Sequence, residues 1–269
     1  MSNNNAIISG LPAKDYRSRP GANASYLKKF AISPLYAEND DFESSAATDL
    51  GEYIHALTID PASLENFACL PTTGEGSKKA REAWRAEHPD GVLLSPSAME
   101  NGKGAAASLK ANRHFADLMS IQGVDTEVSL FCTHPKYGFP MKARIDILAN
   151  PSDGQIIIGD VKSYGKPLTK KTLFWDIRDR GYDIQLAHYR RCLQIIENRT
   201  PDEMALYFVE SETKAHDTAK IILDEGWLAH AEHRLDEYYR LYNECHESGV
   251  YPGFNFGKPL TLSLGDNLS

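Results

Sequence analysis

Up to residue 122 the apolar positions recur at helical spacing; from residue 123 they alternate or run together as in strands. Tyr26, Leu27 and Phe30 follow Ser25 and predict a short helix with a Ser or Asn N-cap, ended at Ser33-Pro34. Leu50, Ile54 and Leu57 share one side of a helix over 46–57, stopped by Asp60-Pro61. A polar loop at 72–77 leads into a charged helix at 78–87. One helix over 96–121 is expected from the apolar face of Met99, Ala106, Leu109, Phe115, Leu118 and Met119. Strands are expected at 124–133 and 139–148, joined as a hairpin through Tyr137-Gly138, and at 155–162 after a turn at 151–154. The run Ile156-Ile157-Ile158 marks the third strand as central and buried. Helices at 168–178 and 182–197, strands at 204–210 and 215–223, and a closing helix at 224–248 complete the order.

This order predicts an α/β fold with a central mixed β-sheet flanked by helices and a helical N-terminal part. Residues 1–23 are polar, rich in Asn, Pro and Gly, and read as a flexible segment. Residues 24–248 read as one domain, with a helical part at 24–122 and the sheet core and closing helices at 123–248; 249–269 read as a Gly- and Pro-rich tail. Glycine-rich dinucleotide and phosphate-loop patterns are missing, so a doubly wound nucleotide fold is not indicated.

Composition narrows the class. Hydrophobic content of 42% and charged content of 25% are those of a globular enzyme. No run of about eighteen apolar residues predicts a membrane span, and no signal-peptide pattern opens the chain. Cys69, Cys132, Cys192 and Cys245 are too scattered for a CxxC pair, so no iron–sulfur or zinc cluster is expected and a reducing, cytoplasmic setting is. A net charge of −8 counts against a broadly basic nucleic-acid binder. It leaves room for an acidic site within a locally positive groove. Basic clusters exist at Arg17 and Arg19, Lys28 and Lys29, 78–85, 162–171 and 178–191.

Candidate chemistry sits on two neighbouring strands. One reads Lys142-Ala143-Arg144-Ile145-Asp146-Ile147-Leu148 and the next Ile156-Ile157-Ile158-Gly159-Asp160-Val161-Lys162. Asp160 and Lys162 are two apart and leave the same face. Pairing through the 151–154 turn sets Asp146 beside Asp160, and two carboxylates so close call for a cation between them. Hard oxygen ligands favour Mg2+, with Mn2+ as a substitute. Asp146 and Asp160 are then expected as ligands, the Val161 carbonyl as a third, and Lys162 beside the attacking water.

This arrangement resembles the PD-(D/E)xK nuclease superfamily, whose core is an Asp on one strand and (Asp/Glu)-x-Lys on the next. Gly51-Glu52-Tyr53-Ile54-His55-Ala56-Leu57, followed by Asp60-Pro61, resembles the Gly-x-x-x-His helix of its exodeoxyribonuclease VIII (RecE-type) and RecB-like branch. Gln185 and Tyr189 match that branch's Gln-x-x-x-Tyr helix, and Ser25-Tyr26-Leu27-Lys28-Lys29-Phe30 with Ser33-Pro34 its N-terminal Ser-x-Leu…Pro signature. The chain departs in having Ile145 rather than Pro before Asp146, Asp160 rather than Glu, and no cysteine quartet.

The resemblance implies a restriction-endonuclease-like core and a Mg2+-dependent exonuclease acting on duplex DNA ends, with 5′-to-3′ polarity. It also implies a ring-like trimer or tetramer, a single-strand annealing partner and a role in phage-type recombination or repair. His55 is then a metal ligand rather than a core histidine, and Glu127 a ligand of a second metal or a holder of water. Gln185 and Tyr189 stand beside the scissile strand. Ser25, Arg19 and Arg144 are candidate phosphate contacts, and Ser25 is also a candidate N-cap. Trp84, Trp175 and Trp227 are expected in the core, with Phe174-Trp175 as an alternative contact to DNA bases. The competing readings are a Cas4-like or helicase-associated nuclease acting on single strands, and a binding module that has lost activity.

Overall fold

The computed structural model describes residues 5–40, 45–69, 77–89, 91–150 and 154–261. The N-terminal half contains strand β1 (Ala6–Ile8) and helices α1 (Ala13–Ser18), α2 (Ala24–Lys29), α3 (Pro34–Asn39) and α4 (Ala46–Thr58). Strand β2 (Phe67–Ala68), helix α5 (Ser77–Glu87), strand β3 (Val92–Leu93) and helices α6 (Pro96–Ala111) and α7 (Arg113–Met119) follow. The second half contains β4 (Val124–Thr133), β5 (Pro140–Ala149), β6 (Ile157–Tyr164), α8 (Lys170–Asp179) and α9 (Tyr182–Glu197). Strands β7 (Glu203–Glu210) and β8 (Thr218–Ile222) and helix α10 (Glu225–Ser248) close the fold. The expected loop at 72–77 and turn at 151–154 lie, apart from Gly154 and the backbone of Ser77, outside the described residues.

One six-stranded mixed sheet runs in the order β1-β4-β5-β6-β7-β8. Only the β6–β7 pair is parallel, and α8 and α9 form the crossover that a parallel pair requires. The sheet is covered on both faces. On one, α4, α6 and α7 bury Leu50, Ile54, Leu109, Phe115 and Leu118 against Ile147, Val161, Ala205 and Tyr207. On the other, α2, α8, α9 and α10 bury Leu27, Ile177, Leu186, Leu193 and Leu235 against Leu130, Ile145, Ile158 and Phe208. Cover on both faces explains why the interior of β7 and the start of β6 are apolar runs rather than alternating ones. Among the described residues no helix is long and apolar enough to cross a membrane.

Three differences from the sequence expectation bear on the fold. Part of the segment expected to be flexible is built into the sheet: β1 pairs antiparallel with β4 through Ala6↔Phe131, Ile7↔Leu130 and Ile8↔Ser129. The reason is electrostatic as well as apolar. The buried Lys142 ammonium on β5 donates to the carbonyls of Tyr16, Arg17 and Arg19 at the C-terminal end of α1, the negative end of the helix dipole. Second, the single helix expected over 96–121 is two. Asn112 takes an extended backbone (φ −63°, ψ 122°), and its side chain accepts from His114 and Phe115 to cap α7. Third, the half expected to be all helical holds the parallel pair β2–β3, too short to leave a periodic signal.

Helix α9 is locked to β5 by a buried histidine. The His188 imidazole donates from Nε2 to the Lys142 carbonyl at 3.0 Å, so its Nδ1 accepts from the Tyr239 hydroxyl at 2.7 Å. Burial, ahead of every charge around it, pushes this imidazole down to about 4. A depressed histidine stabilises the fold above its unfolded value of 6.5, and that contribution is lost as pH falls toward about 4, because the unfolded chain binds the proton first. His134, buried beneath Tyr137, Phe139 and Tyr239, is shifted in the same sense. Urea midpoints are therefore expected to fall between neutral and mildly acidic pH, and to fall less steeply in His188→Gln. An equal slope in that variant would show that protonation of His188 is not the cause.

Candidate active site and metal centre

The site forms where two strands part. β5 and β6 pair through Ala149↔Ile157, Leu148↔Ile158 and Ile147↔Gly159, and the ladder stops there. One further step would set Asp146 opposite Asp160. Instead the Asp146 carboxylate accepts the Val161 N–H at 2.8 Å, bridging the gap with a side chain. The inward and outward alternation of β5 also breaks at this point, since Ile145 packs in one core and Ile147 in the other.

The neighbouring strand is irregular at the same level. Thr126↔Ile147 and Val128↔Ile145 are paired, and Glu127 between them takes a left-handed backbone (φ 55°). That conformation costs a non-glycine residue roughly 1–2 kcal/mol. Here it accompanies a Glu127 carboxylate aimed at the site rather than along the ladder. Helix α4 supplies the third member. Gly51 lets the helix approach β6 closely, because a Cβ there would lie 2.7 Å from the Ser163 hydroxyl. One turn later His55 Nε2 stands 3.0 Å from Glu127 Oε1 and 3.4 Å from Asp146 Oδ1.

His55, Glu127 and Asp146 each offer one ligand atom, and these atoms lie within 4.8 Å of one another. All three are half-buried and still reach solvent. Two carboxylate oxygens and an imidazole nitrogen form a donor set suited to a small divalent cation. The electrostatics fit as well. Burial alone would depress His55, yet Asp146 and Glu127 carry it up to about 10, so a proton supplies positive charge at the place a cation would take. Burial opposes the charge on Asp146, but His55, Lys162 and the Val161 N–H together hold its carboxyl below the usual range.

Asp160 stands beside this trio without joining it. It is fully buried, and its carboxylate pairs with Lys162 while accepting from Gln185 Nε2 at 2.8 Å and from the Tyr189 hydroxyl at 3.3 Å. Burial, then repulsion from Asp146, raises its carboxyl to about 6 against the pull of Lys162 and Lys28. Lys162 is raised despite its burial, by Asp160 and then Asp146, so it stays an ammonium. This differs from the sequence expectation that Asp146 and Asp160 share the cation directly. Once the strands part, Asp160 finds three donors on the α9 side, and repulsion from Asp146 favours that choice. The Val161 N–H meets the site as the donor to Asp146.

Gln185 and Tyr189 fall one turn apart on α9 as expected, and both reach Asp160. The candidate phosphate contacts fare differently. Arg144 pairs with Glu127 and donates to the Leu11 carbonyl at 3.1 Å, so its charge steadies the strained Glu127. Ser25 is exposed and does not cap α2, whose cap is Asn23 accepting from Tyr26 at 2.9 Å. Arg19 lies 4.5 Å over the Phe131 ring.

The structure adds two residues to which the sequence reading gave no role. Lys28 on α2 donates to Gln185 Oε1 at 3.1 Å, which orients the amide so that its nitrogen faces Asp160. Burial first, and Lys162 second, lower the Lys28 ammonium to about 7. The Tyr182 ring lies 4.8 Å from the Lys162 Nζ and 5.2 Å from that of Lys28. Lys28 falls inside the Ser-x-Leu signature, but nothing in that signature says where α2 docks.

Comparison with known proteins gives the chain a family and its fold a counterpart. Residues 24–255 match the family described as a PDDEXK-like domain of unknown function, DUF3799. No curated protein sequence matches the chain. A crystal structure from Eubacterium rectale, provisionally designated an exonuclease, is 17% identical, with a TM-score of 0.59 over 96% of this chain and 98% of that one. At that identity the likeness establishes a shared fold. A phage related exonuclease from Haemophilus somnus 129PT is 13% identical over 87% of this chain and 98% of that one, with a TM-score of 0.36, too low to support an argument. With the match running from α2 through α10, and with Asp146, Asp160 and Lys162 on adjoining strands of a mixed sheet, the chain belongs to the DUF3799 family of PDDEXK-like domains.

Proposed function

We propose that the protein is a divalent-metal-dependent deoxyribonuclease that hydrolyses phosphodiester bonds of duplex DNA from an end. The observation that carries this reading is the His55–Glu127–Asp146 cluster, with ligand atoms within 4.8 Å, next to the strand bearing Lys162. The nuclease-type family and the provisional designation of the Eubacterium rectale structure support it. Hard oxygen donors favour Mg2+, with Mn2+ as substitute. When bound, the ion would polarise a phosphate oxygen and acidify a coordinated water.

The chain's own residues supply the rest. His55, Glu127 and Asp146 would hold the ion, and Arg144 keeps Glu127 in place. Lys162, charged and largely shielded from water, offers an ammonium to the negative charge that builds on the phosphoryl oxygens. Asp160 aims Lys162; Gln185 and Tyr189 fix Asp160; Lys28 fixes the Gln185 amide. Asp160, Gln185, Tyr189 and Lys28 are thus positioning residues acting through Lys162. Polarity of 5′ to 3′, a ring-like assembly, an annealing partner and a recombination role belong to the same reading and rest on the family resemblance alone.

With Mg2+, linear duplex is expected to disappear while closed circular DNA survives. Cutting of closed circles would defeat the end-dependent reading. Lys162→Ala should lower the cleavage rate about 100-fold or more, as loss of one preorganised charge donor does, and Asp146→Asn should abolish metal-dependent cleavage. Gel assays with 5′- and 3′-labelled duplex then decide polarity.

A separate measurement addresses Lys28. Lys28→Met is expected to reduce the turnover number about 10–100-fold, the usual cost of removing a residue that orients a site residue, with KM for DNA little changed. Lys28→Arg, which keeps a donor to Gln185, should recover part of the loss. Equal loss in both variants with a lowered melting temperature would show that Lys28 merely anchors α2.

A further inference from the structure

Helix α8 carries a surface that the catalytic arrangement does not use. Its ten residues bury only Leu173 and Ile177, while Phe174 and Trp175 stand 44% and 45% exposed. Trp175, expected in the core, is therefore at the surface. Lys170, Lys171 and Arg178 are exposed on the same helix. At about 100° per residue, Lys170, Phe174, Arg178, Lys171 and Trp175 fall within an arc of about 140°. Asp179 lies beyond the edge of that arc, and Asp176 is held by Arg180 at 2.7 Å. On a chain of net charge −8 this is an island of three positive charges around two large rings.

The rings are held in place. Phe174 leans on Trp227 at 4.9 Å and meets Trp175 edge-on at 5.4 Å. Trp227 is fixed in turn by its indole N–H donating to the buried Asp183 at 3.0 Å, and the Arg178 guanidinium lies 5.9 Å from the Trp175 ring centre. Both ends of α8 connect along the chain to elements that carry site residues. It follows β6, which bears Asp160 and Lys162, and it leads through Gly181 to Tyr182, whose ring faces Lys162 and Lys28.

We infer that this face of α8 binds unpaired nucleotides of the DNA strand that enters or leaves the site, an inference that rests on the nuclease reading above. Lysine and arginine meet the phosphates, and Phe174 and Trp175 stack on bases. A closed duplex hides its base faces in the helical stack, so the rings select single-stranded DNA. Two lysines within the patch argue against a protein partner, since lysine is depleted in protein interfaces.

The test is fluorescence anisotropy of a labelled oligothymidylate, titrated with the full chain in EDTA so that nothing is cut. Phe174→Ala/Trp175→Ala is expected to weaken binding about tenfold or more, given the worth of base–aromatic stacks, with blunt duplex affinity much less affected. Lys170→Gln/Lys171→Gln should flatten the salt dependence by about 0.7 in log–log slope for each charge that contacts phosphate. Circular dichroism checks that both variants fold. Unchanged oligothymidylate affinity in the aromatic variant overturns the inference, as does a wild-type self-association that the aromatic variant abolishes while its DNA affinity stays unchanged. Cleavage of linear duplex by the wild type is scored separately. Its absence would sink the nuclease reading while the binding data still stand, and normal cleavage with no loss of strand binding would sink only the role of α8.

Discussion

Three carboxylates, Glu127, Asp146 and Asp160, converge where β5 and β6 part, and their mutual repulsion is the constraint around which the surrounding structure is arranged. Each is shielded from water, so each needs a positive partner close by. The fold brings one to each from a different element. His55 comes from α4, Arg144 from β5 and Lys162 from β6, while Lys28 adds a more distant charge from α2. A divalent cation fits the same logic at higher charge, taking over the position that the His55 proton serves.

Irregular backbone is concentrated at this level of the sheet. The β5–β6 ladder ends one pair short of Asp146, β5 loses its alternation there, and Glu127 takes a left-handed conformation on the adjoining strand. A regular ladder would point the three side chains by strand parity alone. The departures let acidic groups from neighbouring strands aim at separate partners, two toward α4 and one toward α9. Close approach of α4, permitted by Gly51, completes the first group, and the Gln185–Tyr189 pair of α9 completes the second.

Lys162 is kept charged by two acids while it is nearly enclosed, which suits stabilisation of negative charge better than proton abstraction. Lys28, depressed by burial and by Lys162, donates to the Gln185 amide. Two lysines near one Tyr182 ring thus hold their protons with different strength, because one has a carboxylate in contact and the other does not.

The amino-acid sequence by itself determined the order of the main elements, the mixed sheet, and Asp146, Asp160 and Lys162 as site candidates, while His55, Glu127, Gln185 and Tyr189 became candidates through the resemblance of their motifs to a nuclease branch. Periodicity reports which face of an element is buried, and the spacing of polar breaks in buried strands marks where chemistry sits. Tertiary structure alone decided how these residues group. That Asp160 turns to Lys162 and α9 while Asp146 turns to His55 depends on where a ladder stops, and no local pattern encodes that. The same holds for β1, fixed by pairing with a distant strand and by the Lys142 ammonium, and for Lys28, given its role by the docking of α2 against α9. Trp175 marks the boundary of such inference. Hydrophobicity placed it in a core, but the helix it rides on turned that side to solvent because Leu173 and Ile177 had already filled the buried one.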